Sequence, residues 1–290
     1  MNPTELPDLF LSGDYKKVHS QMSEPFRNEV SLRQLRKLGK NFHRDVEAYI
    51  FQNKLPLAEG IMQYSWMDER QTKGLKAVFD THATILGLQM FPLSKHPETD
   101  QVYTKTVFDL PFKDEWFVFW GGTNNLVNYH YDYENQRYAY DFIIMQGDSS
   151  YDGNPALNES YYAFGKAYLA PADGTVVAVE NDVKDNEPVG KMNEDDLKGN
   201  YVIIDHGNSE YSYLVHFKYQ SIQVKPGDQV KRGDLLGQVG NSGHSSEAHI
   251  HFHVADSPDP MTSKSIRINF GDKTEMKQGD VVSNGKKPLE

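Results

Sequence analysis

His249-Ile250-His251-Phe252-His253 alternates imidazoles with apolar side chains. On a β-strand alternate side chains share a face, so the three imidazoles point one way and Ile250 and Phe252 pack behind them. At a rise of roughly 3.3 Å per residue, neighbours on that face stand about 6.6 Å apart. That spacing suits one metal ligand and one group beside a reacting water. A second strand-like run, Tyr211 to Phe217, carries His216 near its end. A third element is Asn128-Tyr129-His130, followed by Tyr138 to Ile144 with Asp141 inside an otherwise apolar stretch. A buried carboxylate must be paired or bound to a metal, so Asp141 requires a partner. The plain alternatives are a salt bridge to Lys or Arg at Asp141, a structural His216, and a solvated histidine-rich face at 249–253. Two histidines and one carboxylate leave a tetrahedral zinc with an open position for water, whose pKa the metal lowers. Further histidines then move the proton or stabilise the oxyanion.

The composition narrows the chemistry. The chain has 290 residues, 11 of them histidine, and no cysteine. Disulfides, thiolate nucleophiles and cysteine-based metal sites are thereby excluded, and any metal must be held by His, Asp or Glu. The formal charge of −11 argues against a phosphate-tracking nucleic-acid surface. No apolar run approaches the length of a membrane span.

The elements that must position these residues read as two domains. Residues 1–95 are expected to form a small α+β domain, weakly resembling cystatin-like or cone-shaped modules. A helix from Asp8 to about Met22 is interrupted by Gly13. A second helix starts at Ser31, where Gln34 completes a capping box and Leu32, Leu35, Leu38 and Phe42 make one apolar stripe. Strands follow from about Val46 to Leu93, with Asp68 to Gly74 as a hairpin loop. Pro92, Pro97 and the polar segment Ser94 to Asp100 mark a boundary. Residues 101–256 read as mainly β, an antiparallel sheet or two packed sheets. The expected strands are Trp116–Trp120, Tyr138–Met145, Gly174–Glu180, Tyr201–Asp205, Tyr211–Phe217, Leu235–Val239 and Ala248–Val254. Residues 257–290 are expected as a polar C-terminal extension with one strand at Ser265–Phe270.

The region from about 115 to 255 resembles the lysostaphin/LytM-type zinc endopeptidases. The resemblance rests on Ala170 to Val177, Asn200 to Asn208, the His216 strand, the glycine-marked hairpin Val224 to Gly237, and Gly240 to Phe252 with its terminal His-x-His. It implies a mainly β catalytic domain of antiparallel sheets behind the small α+β domain. It implies one zinc ion per chain held by His130, Asp141 and His251, with His216 and His249 as the catalytic pair. It also implies hydrolysis of peptide bonds in peptidoglycan by a metal-activated water. Three departures from the family pattern stand out. Ten residues separate His130 from Asp141, which leaves Asp132 as a substitute ligand. His253 stands where the family has an acidic residue; it either supports the ligands from behind or is simply exposed, and a bystander is the expectation. Leu214 stands where the family has Tyr, with Tyr213 adjacent. His206 is expected to support the fold or the edge of the site, and His244 to be a loop residue. A wall hydrolase belongs outside the cytoplasm; no leader is visible, so an exported protein shown without its leader is the expectation. The alternative is a non-catalytic LytM-like binding or regulatory module.

Overall fold

The computed structural model describes residues 2–271 and 275–284. The chain divides into two compact units, Met1–Lys95 and His96–Glu290. The first unit opens with four helices: α1 (Leu6–Leu11), α2 (Tyr15–Gln21), α3 (Glu24–Glu29) and α4 (Leu32–Phe42). Gly13, at φ +79°, takes a left-handed conformation that side chains disfavour. It splits the expected first helix in two. Ser31 caps α4 through the anticipated capping box with Gln34. Of the anticipated stripe, Leu35 is buried, whereas Leu38 is 55% exposed. The helix therefore presents a narrower apolar face than its leucine spacing suggests. α3 escapes periodicity because it is only six residues long; Ser23 caps it and Pro25 sits in its first turn.

A four-stranded antiparallel meander follows: β1 (Tyr49–Ala58), β2 (Ile61–Asp68), β3 (Lys73–Phe79) and β4 (Ile85–Pro92), paired in that order. Leu75, Ala77 and Phe79 alternate on β3 and pack with Leu6, Phe10 and Val18 from the helices. These alternate residues of the strand meet one face of the helices, as in a two-layer α+β unit.

The second unit contains β5 (Tyr103–Val107), β6 (Trp116–Trp120), β7 (Tyr140–Ile143), β8 (Ala167–Leu169), β9 (Gly174–Glu180), β10 (Asn200–Asp205), β11 (Tyr211–Phe217), β12 (Gln229–Val230), β13 (Leu235–Gln238), β14 (Ile250–Ala255), β15 (Ser265–Asn269) and β16 (Val281–Val282). Its main sheet runs β12-β9-β10-β11-β14-β7-β6-β16, with β15 pairing β14 and β5, while β8 and β13 form a separate pair. Pairing is antiparallel except between β5 and β15. Residues 257–284, set apart by sequence as an extension, thus supply two strands to the same sheet.

β14 lies at the centre, and all six of its residues are buried. Ile250, Phe252 and Val254 point into one apolar core with Phe142, Leu214 and Phe217. Burying a side chain of this size contributes about 1.5–3 kcal/mol, so the face opposite the histidines anchors their backbone firmly.

Candidate metal and catalytic site

Asp141 and His251 are direct partners across the antiparallel β7–β14 ladder. Pairing at this register puts both side chains on the same face of the sheet. His251 Nδ1 lies 2.9 Å from Asp141 Oδ1. His130 arrives from a short 3-10 turn, Tyr129–Asp132, that precedes β7. Its Nε2 lies 3.5 Å from Asp141 Oδ2. One ligand atom from each of His130, Asp141 and His251 falls within 4.8 Å of the others. Asp132, the substitute considered from sequence, is exposed and accepts a hydrogen bond from Asn125.

His130 is fully buried, and its two ring nitrogens have different surroundings. Nδ1 is 2.9 Å from Asn128 Oδ1. The Asn128 amide donates to the carbonyl oxygens of Gly122 and Ala139, each at 3.1 Å, so its oxygen must face His130. Nδ1 of His130 is therefore the protonated nitrogen, and Nε2 offers a lone pair towards Asp141. His130 Nε2 has no hydrogen-bond partner among the described residues, and Asp141 Oδ1 has none beyond its 2.9 Å approach to His251 Nδ1. Leaving a buried polar atom unpaired costs about 1–3 kcal/mol. Such an atom beside a buried carboxylate fits a cation: nitrogen and oxygen donors, without sulfur, are a zinc set. Asn128 carried no role in the sequence reading. Its signal was a cap residue two positions before a histidine.

The two remaining histidines line the same place from other strands. His249 precedes β14, and its Nε2 lies 3.8 Å from Asp141 Oδ1. Its Nδ1 is 2.8 Å from the Glu247 carbonyl oxygen. His216 lies on β11 at φ +66°, a left-handed conformation that residues other than glycine seldom adopt. The β10–β11 register slips at this point, between Asn200–Phe217 and Tyr201–Val215. A bulge of this kind re-aims one side chain, and here it turns the His216 ring towards His249, with centroids 4.7 Å apart. His216 Nδ1 is 2.8 Å from the Ser242 carbonyl oxygen.

Ser242 can reach His216 because two loops touch at glycines. A Cβ on Gly199 would lie 2.4 Å from the Ser242 carbonyl carbon, and one on Gly243 would lie 2.3 Å from the Gly199 nitrogen. Both glycines also have positive φ, so no other residue fits either position without strain.

Charge in this pocket is sharply divided. Burial works against ionisation of Asp141, but the imidazoles of His130, His249 and His251 outweigh it and hold the carboxyl well below the usual range. Burial lowers His130 to about 3, although Asp141 opposes that shift. Burial likewise lowers His216 and His249; neighbouring imidazoles push His216 further down, while Asp141 pulls His249 back up. An anionic Asp141 beside a neutral His130 is the protonation state that metal ligation requires of these two residues.

The other histidines fall outside the cluster. His206 is tied to the Asp173 carbonyl oxygen and to Ser212, edge-on to Phe108. His244 lies in an exposed loop beside Glu194. His253 is not the exposed bystander that its position suggested: it is 7% exposed and bonded to His251. Leu214 points into the core, and Tyr213 takes the site-bearing face of β11 opposite His253.

Parts of the chain are similar to known proteins. Residues 161–263 match the sequence profile of Peptidase family M23. A stretch of 70 residues is 34% identical to the peptidoglycan DD-endopeptidase ShyA of Vibrio cholerae, covering 24% of this chain and 16% of that protein. A stretch of 88 residues is 32% identical to ShyC of the same organism, covering 30% and 19%. The chain spans less than a fifth of the length of either relative. Among solved structures, the catalytic domain of lysostaphin from Staphylococcus simulans aligns with 53% of this chain and 88% of its own, at 18% identity and a TM-score of 0.30. Residues 161–263 are thus similar to peptidase family M23, in the same part of the chain whose motifs resemble the lysostaphin/LytM-type endopeptidases.

Proposed function

We propose that this chain is a zinc metalloendopeptidase that hydrolyses peptide bonds in bacterial peptidoglycan. The observation that carries the reading is the convergence of His130, Asp141 and His251, one ligand atom of each within 4.8 Å of the others, with His130 Nε2 buried and without a hydrogen-bond partner among the described residues. These three residues would hold one zinc ion and leave a fourth position open. Zinc, when bound, polarises the scissile carbonyl and acidifies a neighbouring water. His216 and His249 do the remaining proton work. Each has its Nδ1–H committed to a main-chain carbonyl, so each neutral ring offers Nε2 as an acceptor and, once protonated there, as a donor. One such nitrogen takes the proton of the attacking water and returns it to the leaving amine, and the other stabilises the developing oxyanion. The family match and the stretches shared with peptidoglycan DD-endopeptidases support peptidoglycan as substrate. Acting on it places the protein outside the cytoplasm.

The test is metal analysis joined to a hydrolysis assay. Purified protein is expected to hold one zinc per chain, and His251→Ala to hold none. Hydrolysis of purified peptidoglycan should stop with a chelator and return with zinc. Protein that binds zinc but releases no peptide ends would belong instead to a non-catalytic module of the same fold. Protein that binds no divalent metal would refute the metal centre itself.

A further inference from the structure

We propose that His253 is a positioning residue for His251, fixing both its ring orientation and the nitrogen that carries its proton. The inference rests on the zinc reading above. His251 Nε2 and His253 Nδ1 are 2.9 Å apart, with the two rings nearly perpendicular at 86°. Two neutral imidazoles share one proton along such a contact, so one ring donates and the other accepts. His251 Nδ1 faces Asp141 Oδ1 at 2.9 Å. To give a lone pair to a cation beside that carboxylate, His251 must carry its proton on Nε2. His253 Nδ1 must then accept, with its own proton on Nε2.

His253 is itself held rigidly. Its ring lies flat on Tyr213, with centroids 4.6 Å apart and planes 11° apart. Tyr213 pairs with His253 across β11 and β14, and its hydroxyl donates to the Ser257 carbonyl oxygen at 2.7 Å. The contacts run in the order Tyr213, His253, His251, Asp141, all four residues buried. A metal-ligating histidine usually donates its second N–H to a carboxylate, a carbonyl or water, and losing that partner weakens metal affinity. Here the acceptor is a neutral imidazole. It fixes the ligand without adding a second buried negative charge beside Asp141.

Two variants separate the acceptor from the ring. His253→Phe keeps the flat ring and its stack on Tyr213 but removes the acceptor. His253→Asn keeps an acceptor oxygen near the place of Nδ1 but removes the ring. Zinc affinity of the full chain is measured by competition with a chelator, and thermal denaturation of the zinc-free proteins reports folding. H253F is expected to bind zinc about ten- to a hundredfold more weakly than wild type, and H253N to stay close to wild type. Imidazole nitrogen-15 spectra of the zinc-loaded wild type should show His251 protonated on Nε2 and His253 unprotonated on Nδ1. Wild-type affinity in H253F, equal losses in both variants, or the opposite proton placement in the spectra would overturn the assignment of His253 alone. A wild-type protein without zinc affinity would overturn the metal centre on which it rests.

Discussion

His216 and His249 face each other with ring centroids 4.7 Å apart, and each has its Nδ1 held by a main-chain carbonyl oxygen at 2.8 Å. Flipping His216 would take its Nδ1 away from the Ser242 carbonyl, and flipping His249 would break its contacts with the Glu247 carbonyl and Ser245 Oγ. Both Nε2 atoms are thus pre-aimed. Replacing either histidine by alanine is expected to lower peptidoglycan hydrolysis by about 10²–10⁴-fold while leaving zinc stoichiometry unchanged. The double variant should lose little more than the worse single one, because residues acting as a unit are not additive. Rates of peptide-end release and metal content on the same preparations check this. A variant at His216 that retains wild-type rate would remove that residue from the catalytic pair.

Burial also sets where the pair works. His216 is held well below the usual histidine value of 6.5, and His249 is lowered as well. A lowered value means that the neutral, proton-accepting form persists to lower pH. Activity that depends on it is present above the ordinary histidine range and is lost only as pH falls through the depressed value. The acid limb of kcat/KM should therefore lie below pH 6.5, since that profile reports the free enzyme's essential groups. A pH–rate profile whose acid limb falls at or above the unperturbed value would contradict the neutral assignment.

Much of this site is legible in the residue order, and the illegible parts have physical reasons. The alternation in 249–253 shows one face because strand period is two, and Asp141 stands out because a charge among apolar neighbours needs a partner. The pairing of Asp141 with His251 is invisible, because strand register is a property of two distant segments. The bulge at His216 is equally hidden: nothing in Tyr211 to Phe217 marks a positive φ there, and Lys198, Ser242 and Gly240 impose it from other loops. The choice between His130 and Asp132 is open in the residue order because ten residues separate His130 from Asp141. Asn128 answers it, since its buried amide turns the following 3-10 turn so that His130 faces the strand. In the first unit, the capping box at Ser31 is local and readable, whereas the exposure of Leu38 depends on how α4 packs in the folded unit.

Asn128 allows metal affinity and stability to be separated by two substitutions. Its Oδ1 accepts from both the main-chain nitrogen and Nδ1 of His130, while its amide nitrogen donates to the Gly122 and Ala139 carbonyls. Asn128→Ala removes both functions. It should lower zinc affinity about 10–100-fold, because His130 loses the partner that keeps its proton on Nδ1. It should also destabilise the fold by about 1–3 kcal/mol through the two unpaired carbonyls. Asn128→Asp keeps an acceptor for His130 but sets a carboxylate oxygen against those carbonyls. That variant should lose stability while retaining most of its zinc affinity. Chelator competition and denaturant unfolding of the zinc-free proteins measure the two effects apart. If both variants bind zinc as wild type does, the orientation of His130 comes instead from Tyr129, whose ring lies 3.9 Å from it.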